Sequence, residues 1–196
     1  MEIVRLERPQ FDAASAVLAR AFQDDPAWTW LLPDAARRRQ VLPWLFRLGF
    51  DVTAADVWGT RGDVLGAARW LPPGRPPVRI APTLRALALT PLRLGAVTLP
   101  FLAYGRAVEA LRVDVAPGPH WYLAGIGVDP AEQRRGIGSA LLEPGLRASR
   151  EARIPAVLLT NLEANLSFYE QHGFRVVRES RTPEDGPQAW AMVRRP

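Results

Sequence analysis

Apolar and polar positions along the chain follow two periods. Phe11, Ala14, Val17, Leu18, Ala21 and Phe22 recur near helical spacing, which predicts an amphipathic helix over 11–22. Asp24-Asp25-Pro26 reads as its stop, and Trp28, Trp30, Leu31 and Leu32 as a short apolar turn ended by Pro33. Asp34 is a good N-cap for a second helix to about Phe50, with Trp44, Leu45 and Leu48 on one face. Short apolar or alternating runs predict strands at Ile3, Val4 and Leu6, at Val57–Thr60, at Val64–Leu71, at Trp121–Val128 and at Ile154–Thr160. Two more follow, Phe174–Arg178 and Ala189–Arg194, joined as a long hairpin through Gly186-Pro187. Arg61-Gly62-Asp63 is a hairpin turn, and Pro72 to Pro77 a stiff loop. Residues 81–113 are apolar but broken by Arg85, Pro91, Arg93 and Pro100, which predicts two or three proline-punctuated helices. Later helices are expected from Gly136 to about Arg153, kinked at Pro144, and around Leu166, Phe168 and Tyr169, closed by Gly173. Strands and helices in this order give an α/β or α+β domain with a largely antiparallel sheet.

The stretch with most chemistry is Trp121–Leu142, an apolar run, the break Asp129-Pro130, then Gln133-Arg-Arg-Gly-Ile-Gly-Ser and a helix. Strand, glycine-rich turn and helix present unpaired N–H groups and a positive dipole end to an anion. Gly136 and Gly138 leave that backbone uncovered, and Arg134 and Arg135 add positive charge. A tight turn with close strand–helix packing would use the same glycines. The dinucleotide fingerprint fails at Leu141, where a third small residue belongs, and a P-loop fails because the chain has no lysine.

At 196 residues the chain is expected to form one domain over 1–196, with about 81–113 a variable helical segment serving as a pocket wall or a dimer face. With no cysteine, a disulfide framework, a thiolate metal site and a Cys nucleophile are excluded, and no metal is expected. The net charge of +5 suits an anionic ligand such as a nucleotide cofactor. The arginines are spread along the chain without a basic, aromatic-interleaved run, so nucleic acid is not an expected partner. No secretory leader or membrane-length apolar run is evident, which predicts a cytoplasmic protein without membrane contact.

Three segments together resemble the GNAT N-acetyltransferases, a family that moves acetyl from acetyl-CoA to an amine. Gln133-Arg134-Arg135-Gly136-Ile137-Gly138 is similar to the family's pyrophosphate loop. Gly127-Val128-Asp129-Pro130 resembles the end of its splayed fourth strand. Asn165-Leu-Ser-Phe168-Tyr169-Glu-Gln-His-Gly173-Phe174 resembles its Asn-x-x-x-Tyr-x-x-x-Gly-Phe segment. From about residue 119 onward the likeness is greatest to puromycin N-acetyltransferase-like members. Leu159 departs from them, standing where they carry a late glutamate in the fifth strand.

The resemblance implies the acyl-CoA N-acyltransferase fold, with a splayed central strand flanked by helices. It also implies direct transfer of acetyl to a primary amine. Acetyl-CoA would be held by Ile126, Gly127, Val128, Gln133, Arg134, Arg135, Gly136, Ile137, Gly138, Ser139, Asn161, Asn165, Phe168 and Tyr169. Tyr169 would be the general acid toward the sulfur. Asn165 lies on the same helical face, four residues earlier, and either bonds the cofactor or caps the helix with Asn161. His120 titrates in the range a base needs. Asp25, Trp28, Trp30, Trp70 and Tyr104 would line the acceptor pocket, although capping and core packing also account for them. The expected acceptor is a small, antibiotic-like amine. A protein or peptide amine is the alternative within the enzyme class, and a non-catalytic CoA-binding module the alternative outside it. A homodimer is the remaining partner expectation.

Overall fold

A computed structural model describes residues 1–74, 88–181 and 183–196. Among these, β1 (Ile3–Arg5), β2 (Asp56–Thr60), β3 (Gly66–Leu71), β4 (Trp121–Val128), β5 (Ala156–Thr160), β6 (Arg175–Arg181) and β7 (Gln188–Arg194) form one sheet in the order β1-β2-β3-β4-β5-β7-β6. Every neighbouring pair is antiparallel except β4 and β5. The helices are α1 (Phe11–Ala21), α2 (Pro26–Leu31), α3 (Ala35–Val52), α4 (Thr98–Val115), α5 (Ile137–Ala152) and α6 (Leu166–Gln171), with 88–94 also helical.

The sheet is covered on both faces. Under α5 lie Trp70, Leu123, Leu141, Leu142, Leu158, Phe174 and Met192, all buried. Leu6, Ala14, Leu18, Phe50, Val57 and Ala67 fill the space below α1 and α3. A third cluster of Leu31, Leu32, Leu42, Leu45 and Leu94 joins α2, α3 and the helical residues ahead of α4.

Asp25-Pro26 is a helix start as well as a stop. Proline at the first helical position loses no hydrogen bond, and Asp25 accepts from Ala27 N at 2.9 Å and Trp28 N at 3.3 Å, so the expected apolar turn is α2. Asp34 caps α3 as expected, accepting from Arg37 N at 2.6 Å. Pro100 sits in the first turn of α4, where the missing N–H has no intrahelical partner to lose. α5 runs on through Pro144. Residues 81–87 of the proline-punctuated segment lie outside the described residues.

β4 is the strand that creates a site. It pairs with β5 only at Trp121, Tyr122 and Leu123, yet continues beside β3 as far as Val128. Beyond Leu123 the two parallel strands part.

Candidate active site

The gap between β4 and β5 has free backbone along one edge. Asp129 N–H donates to Leu65 O at 2.9 Å on the β3 side. Strand alternation therefore turns the groups of Ile126 and Val128 the other way, into the gap. Gln133 Nε2 reaches Val128 O from that side at 3.3 Å.

The loop after β4 is shaped by two residues in the left-handed region, Arg134 at φ 61° and Gly136 at φ 79°. Only the second is a glycine, and the first costs on the order of 1–2 kcal/mol. Gly136 is the N-cap of α5 and offers no side-chain cap, so the first-turn N–H groups face outward unclaimed by a side chain. A Cβ on Gly138 would stand 3.3 Å from Phe168 Cζ, so the absence of a side chain keeps α5 and α6 close. Arg135 pairs with Glu132.

These parts line one groove of roughly 540 Å³ that also takes in Phe22, Asp25, Ser139, Asn165 and Tyr169. Tyr169 is buried, its ring 6.1 Å from Phe174 and 5.2 Å from Phe168. Burial pushes its hydroxyl well above the usual phenol range, and the charge of Asp25 adds to this. Among the described residues nothing hydrogen-bonds that hydroxyl. Asn165 occupies the N-cap position of α6, but its side chain makes no capping bond. Its amide is left facing the groove.

On the other side of the sheet, α1 closes over Gly127, where a Cβ would come 2.8 Å from Ala21 Cβ. Arg20 fastens the end of α1 to the loop by donating Nε and Nη2 to Asp129 Oδ2 at 2.8 and 2.6 Å. Buried Arg38 donates to the carbonyls of Gln23, Leu32 and Pro33 at 2.7–2.8 Å and so holds the turns on either side of α2. Burial raises the Asp25 carboxyl above the usual carboxylate range, against the two backbone bonds it accepts. α4 packs against α2 and the end of the sheet. Trp28 stacks at 6.3 Å on Phe101, Trp30 lies 6.4 Å from Tyr104, and Arg112 Cζ sits 5.3 Å over the Tyr122 ring. The Tyr104 hydroxyl donates to Asn161 Oδ1 at 2.9 Å, while Asn161 Nδ2 donates to Gln188 O at 2.8 Å.

A splayed strand, an uncapped glycine turn and a tyrosine at the gap agree with the comparison to known proteins. Residues 90–174 match the model of the acetyltransferase (GNAT) family. Those residues carry a GNAT acetyltransferase domain. Over 99% of its length it superposes on a histone acetyltransferase and related acetyltransferase from Corynebacterium glutamicum, with TM-score 0.67, 20% identity and 95% of that chain covered. Arylalkylamine N-acetyltransferase 2 from Aedes aegypti gives TM-score 0.67 at 13% identity, covering 99% of this chain and 98% of the other. Drosophila melanogaster polyamine N-acetyltransferase gives 0.61 at 14%, covering both chains fully at 100%. At these identities the structural likeness speaks for the fold. The family matched by residues 90–174 is one of acetyltransferases whose donor is acetyl-CoA.

Within this GNAT domain several expected residues stand elsewhere. His120 does not share the groove. Its Nδ1 meets Gly118 O at 2.7 Å and its Nε2 meets Arg112 Nη1. A carbonyl only accepts and a guanidinium only donates, so the proton is on Nδ1 and the Nε2 lone pair is already used. The ring is buried, with burial as the main cause of a lowered pKa, and it lies in a separate cavity beside Arg112 and Tyr122. It has no free basic nitrogen, which removes it as the base. Trp70 is fully buried on the α5 face, against Gly145, so it lines no acceptor pocket. Asn161 is committed to Tyr104 and Gln188 and does not cap α6. Trp28 and Trp30 clamp α2 between α3 and α4. His172 donates Nδ1–H to Phe168 O at 2.8 Å and has a local role at the end of α6. Sequence reasoning missed Arg20 and Arg69, whose partners Asp129 and Ala124 lie far along the chain, and Arg38, which gathers carbonyls from both sides of α2.

Proposed function

We propose that the protein transfers acetyl from acetyl-CoA directly to the primary amine of a small molecule. The observation that carries this is the parting of β4 from β5 beyond Leu123. It leaves the Ile126 and Val128 backbone groups turned into the same groove as the unbonded Tyr169 hydroxyl. The residues present suit CoA. First-turn N–H groups at Ile137, Gly138 and Ser139, with Arg134 beside them, would receive the pyrophosphate. Ile126 and Val128 would pair with the pantetheine amides as an added strand does, and the Asn165 amide would bond the same arm. When bound, acetyl-CoA supplies an activated acetyl group on a thioester.

Tyr169 stays protonated across the neutral range, because burial and the Asp25 charge both oppose its ionisation. It therefore has a proton to give to the departing sulfur. Asp25 faces the groove with a raised pKa, which suits a group that receives a proton from an ammonium or its relaying water. Without cysteine, the usual acyl-enzyme nucleophile is missing from the chain. A small acceptor is favoured over a peptide because α4 packs on α2, through Phe101 on Trp28 and Tyr104 on Trp30, and covers the helix that follows Asp25.

Direct transfer is tested by intact-protein mass spectrometry after incubation with acetyl-CoA and no amine. The proposal expects unmodified protein. An acetyl adduct that disappears when amine is added would replace direct transfer by a two-step route.

A further inference from the structure

Arg69 stands opposite Gly125 in the β3–β4 ladder, so both positions face the same side of the sheet. That side is the one covered by α1 and α3, since a Cβ on Gly49 of α3 would meet Arg69 Nη1 at 2.2 Å. The register shifts between Arg69 and Trp70, which leaves Ala124 unpaired. Such a bulge frees backbone groups and re-aims side chains. Arg69 Nη2 takes the freed Ala124 carbonyl at 3.3 Å.

Among the described residues the rest of the guanidinium makes no hydrogen bond or ion pair, and the Tyr122 phenol is the group near enough to act on its charge. Among the described residues no carboxylate pairs with Arg69, and residues 75–87 contain no Asp or Glu. Its nitrogens are not among the sealed, unbonded side-chain atoms, which are Trp70 Nε1, Trp121 Nε1 and Arg194 Nη1. Beside it, a Cβ built on Gly125 meets nothing within 4 Å among the described residues. The next position on that face, Gly127, is closed by α1. An arginine drawn into the fold without a counter-charge thus borders open space at the middle of β4, near where that strand leaves β5. Leaving a cation so placed is costly unless a ligand pairs with it, and a guanidinium's planar fork matches a carboxylate.

We propose that Arg69 receives a carboxylate of the acceptor, so that the substrate is an amine that also carries a carboxylate, as amino acids do. This rests on the acetyl-transfer reading and narrows it. Asp25, which lines the groove, has the opposite charge for the ammonium end.

Matched pairs of amines test the proposal: tyrosine with tyramine, and γ-aminobutyrate with n-butylamine. Each is measured by thiol release from acetyl-CoA, with the wild type and with Arg69→Gln. The expected result is a preference in kcat/KM for the carboxylate-bearing member of at least one pair, by roughly ten- to hundred-fold. In Arg69→Gln that preference disappears through loss on the carboxylate-bearing member alone, with the KM for acetyl-CoA unchanged. Equal loss on both members, or a wild type indifferent to the carboxylate, overturns it. Calorimetry of tyrosine and tyramine binding to the CoA-saturated wild type reads the same discrimination without turnover and without a variant. Tighter binding of tyrosine supports the assignment, and equal or weaker binding overturns it. Turnover that ignores the carboxylate contradicts this assignment only. Absence of turnover with every amine contradicts the acetyl-transfer reading instead, and the binding comparison then decides the role of Arg69.

Discussion

Arg20 donates two hydrogen bonds, at 2.8 and 2.6 Å, to one oxygen of Asp129 and so ties the end of α1 to the loop that follows β4. The pair lies beside the groove, which Ala21 and Phe22 line at one of its ends and Gln133 and Arg134 at the other. Arg20 holds the Asp129 carboxyl below the usual carboxylate range, with a backbone bond from Ala131 helping. A depressed carboxyl stabilises the fold above its unfolded pKa of about 4, and that contribution is lost as pH falls through the lower folded value. Asp129→Asn should cost at most about 1 kcal/mol, because the pair is partly exposed. It should also raise the KM for acetyl-CoA several-fold, as the loop loses its anchor. Steady-state kinetics and denaturant melts above and below pH 4 check both parts, and the stability gap should close at the acid end.

Tyr169→Phe removes only a hydroxyl that no described residue bonds, so folding should be little affected. The expected loss is in kcat, on the order of a hundred-fold or more, with CoA affinity unchanged by calorimetry. In the wild type no fall in kcat from Tyr169 ionisation should appear before about pH 10, because its pKa is shifted upward. A Phe variant with full kcat would leave thiolate protonation to water.

Gly136→Asp places a negative side chain where the first-turn N–H groups of α5 point. Adding a Cβ at φ 79° costs about 1–2 kcal/mol. The loss of CoA affinity should exceed that stability cost by at least about tenfold in the binding constant. Calorimetric titration beside thermal unfolding separates the two, and matched losses would mean the glycine serves the turn alone.

Gly145→Ala tests where Trp70 resides. An added Cβ would lie 2.2 Å from the Trp70 ring carbons Cδ2 and Cε2, and that rigid indole is fully buried. Overpacking of this kind costs about 1–3 kcal/mol. Stability should fall while the KM values for donor and acceptor hold, since the contact lies on the α5 face.

The sequence pattern was most legible where local chemistry decides structure. Alternation and apolar runs located the strands, Asp34 marked the start of α3, and the spacing of Gly136, Gly138, Asn165 and Tyr169 pointed to parts that do line one groove. Asp25-Pro26 was ambiguous because the same dipeptide ends one helix and begins another. Trp70 read as pocket material or core, while its neighbour Arg69 read only as part of a strand. Only the strand's alternation, with the bulge at Ala124, sends one under α5 and the other to the face covered by α1 and α3. His120 looked available as a base because Arg112, which takes its lone pair, reaches it only once α4 folds back on β4. Asn161 was likewise claimed by Tyr104 and Gln188, partners that no local pattern reveals.

The central claim is amine acetylation in the groove between β4 and β5. Its most direct test is to follow thiol release and acetylated amine together, with acetyl-CoA and a panel of primary amines. The account predicts amine-dependent release with one acetylated amine formed per thiol. Tight CoA binding with no amine-dependent release from any member of the panel would contradict it.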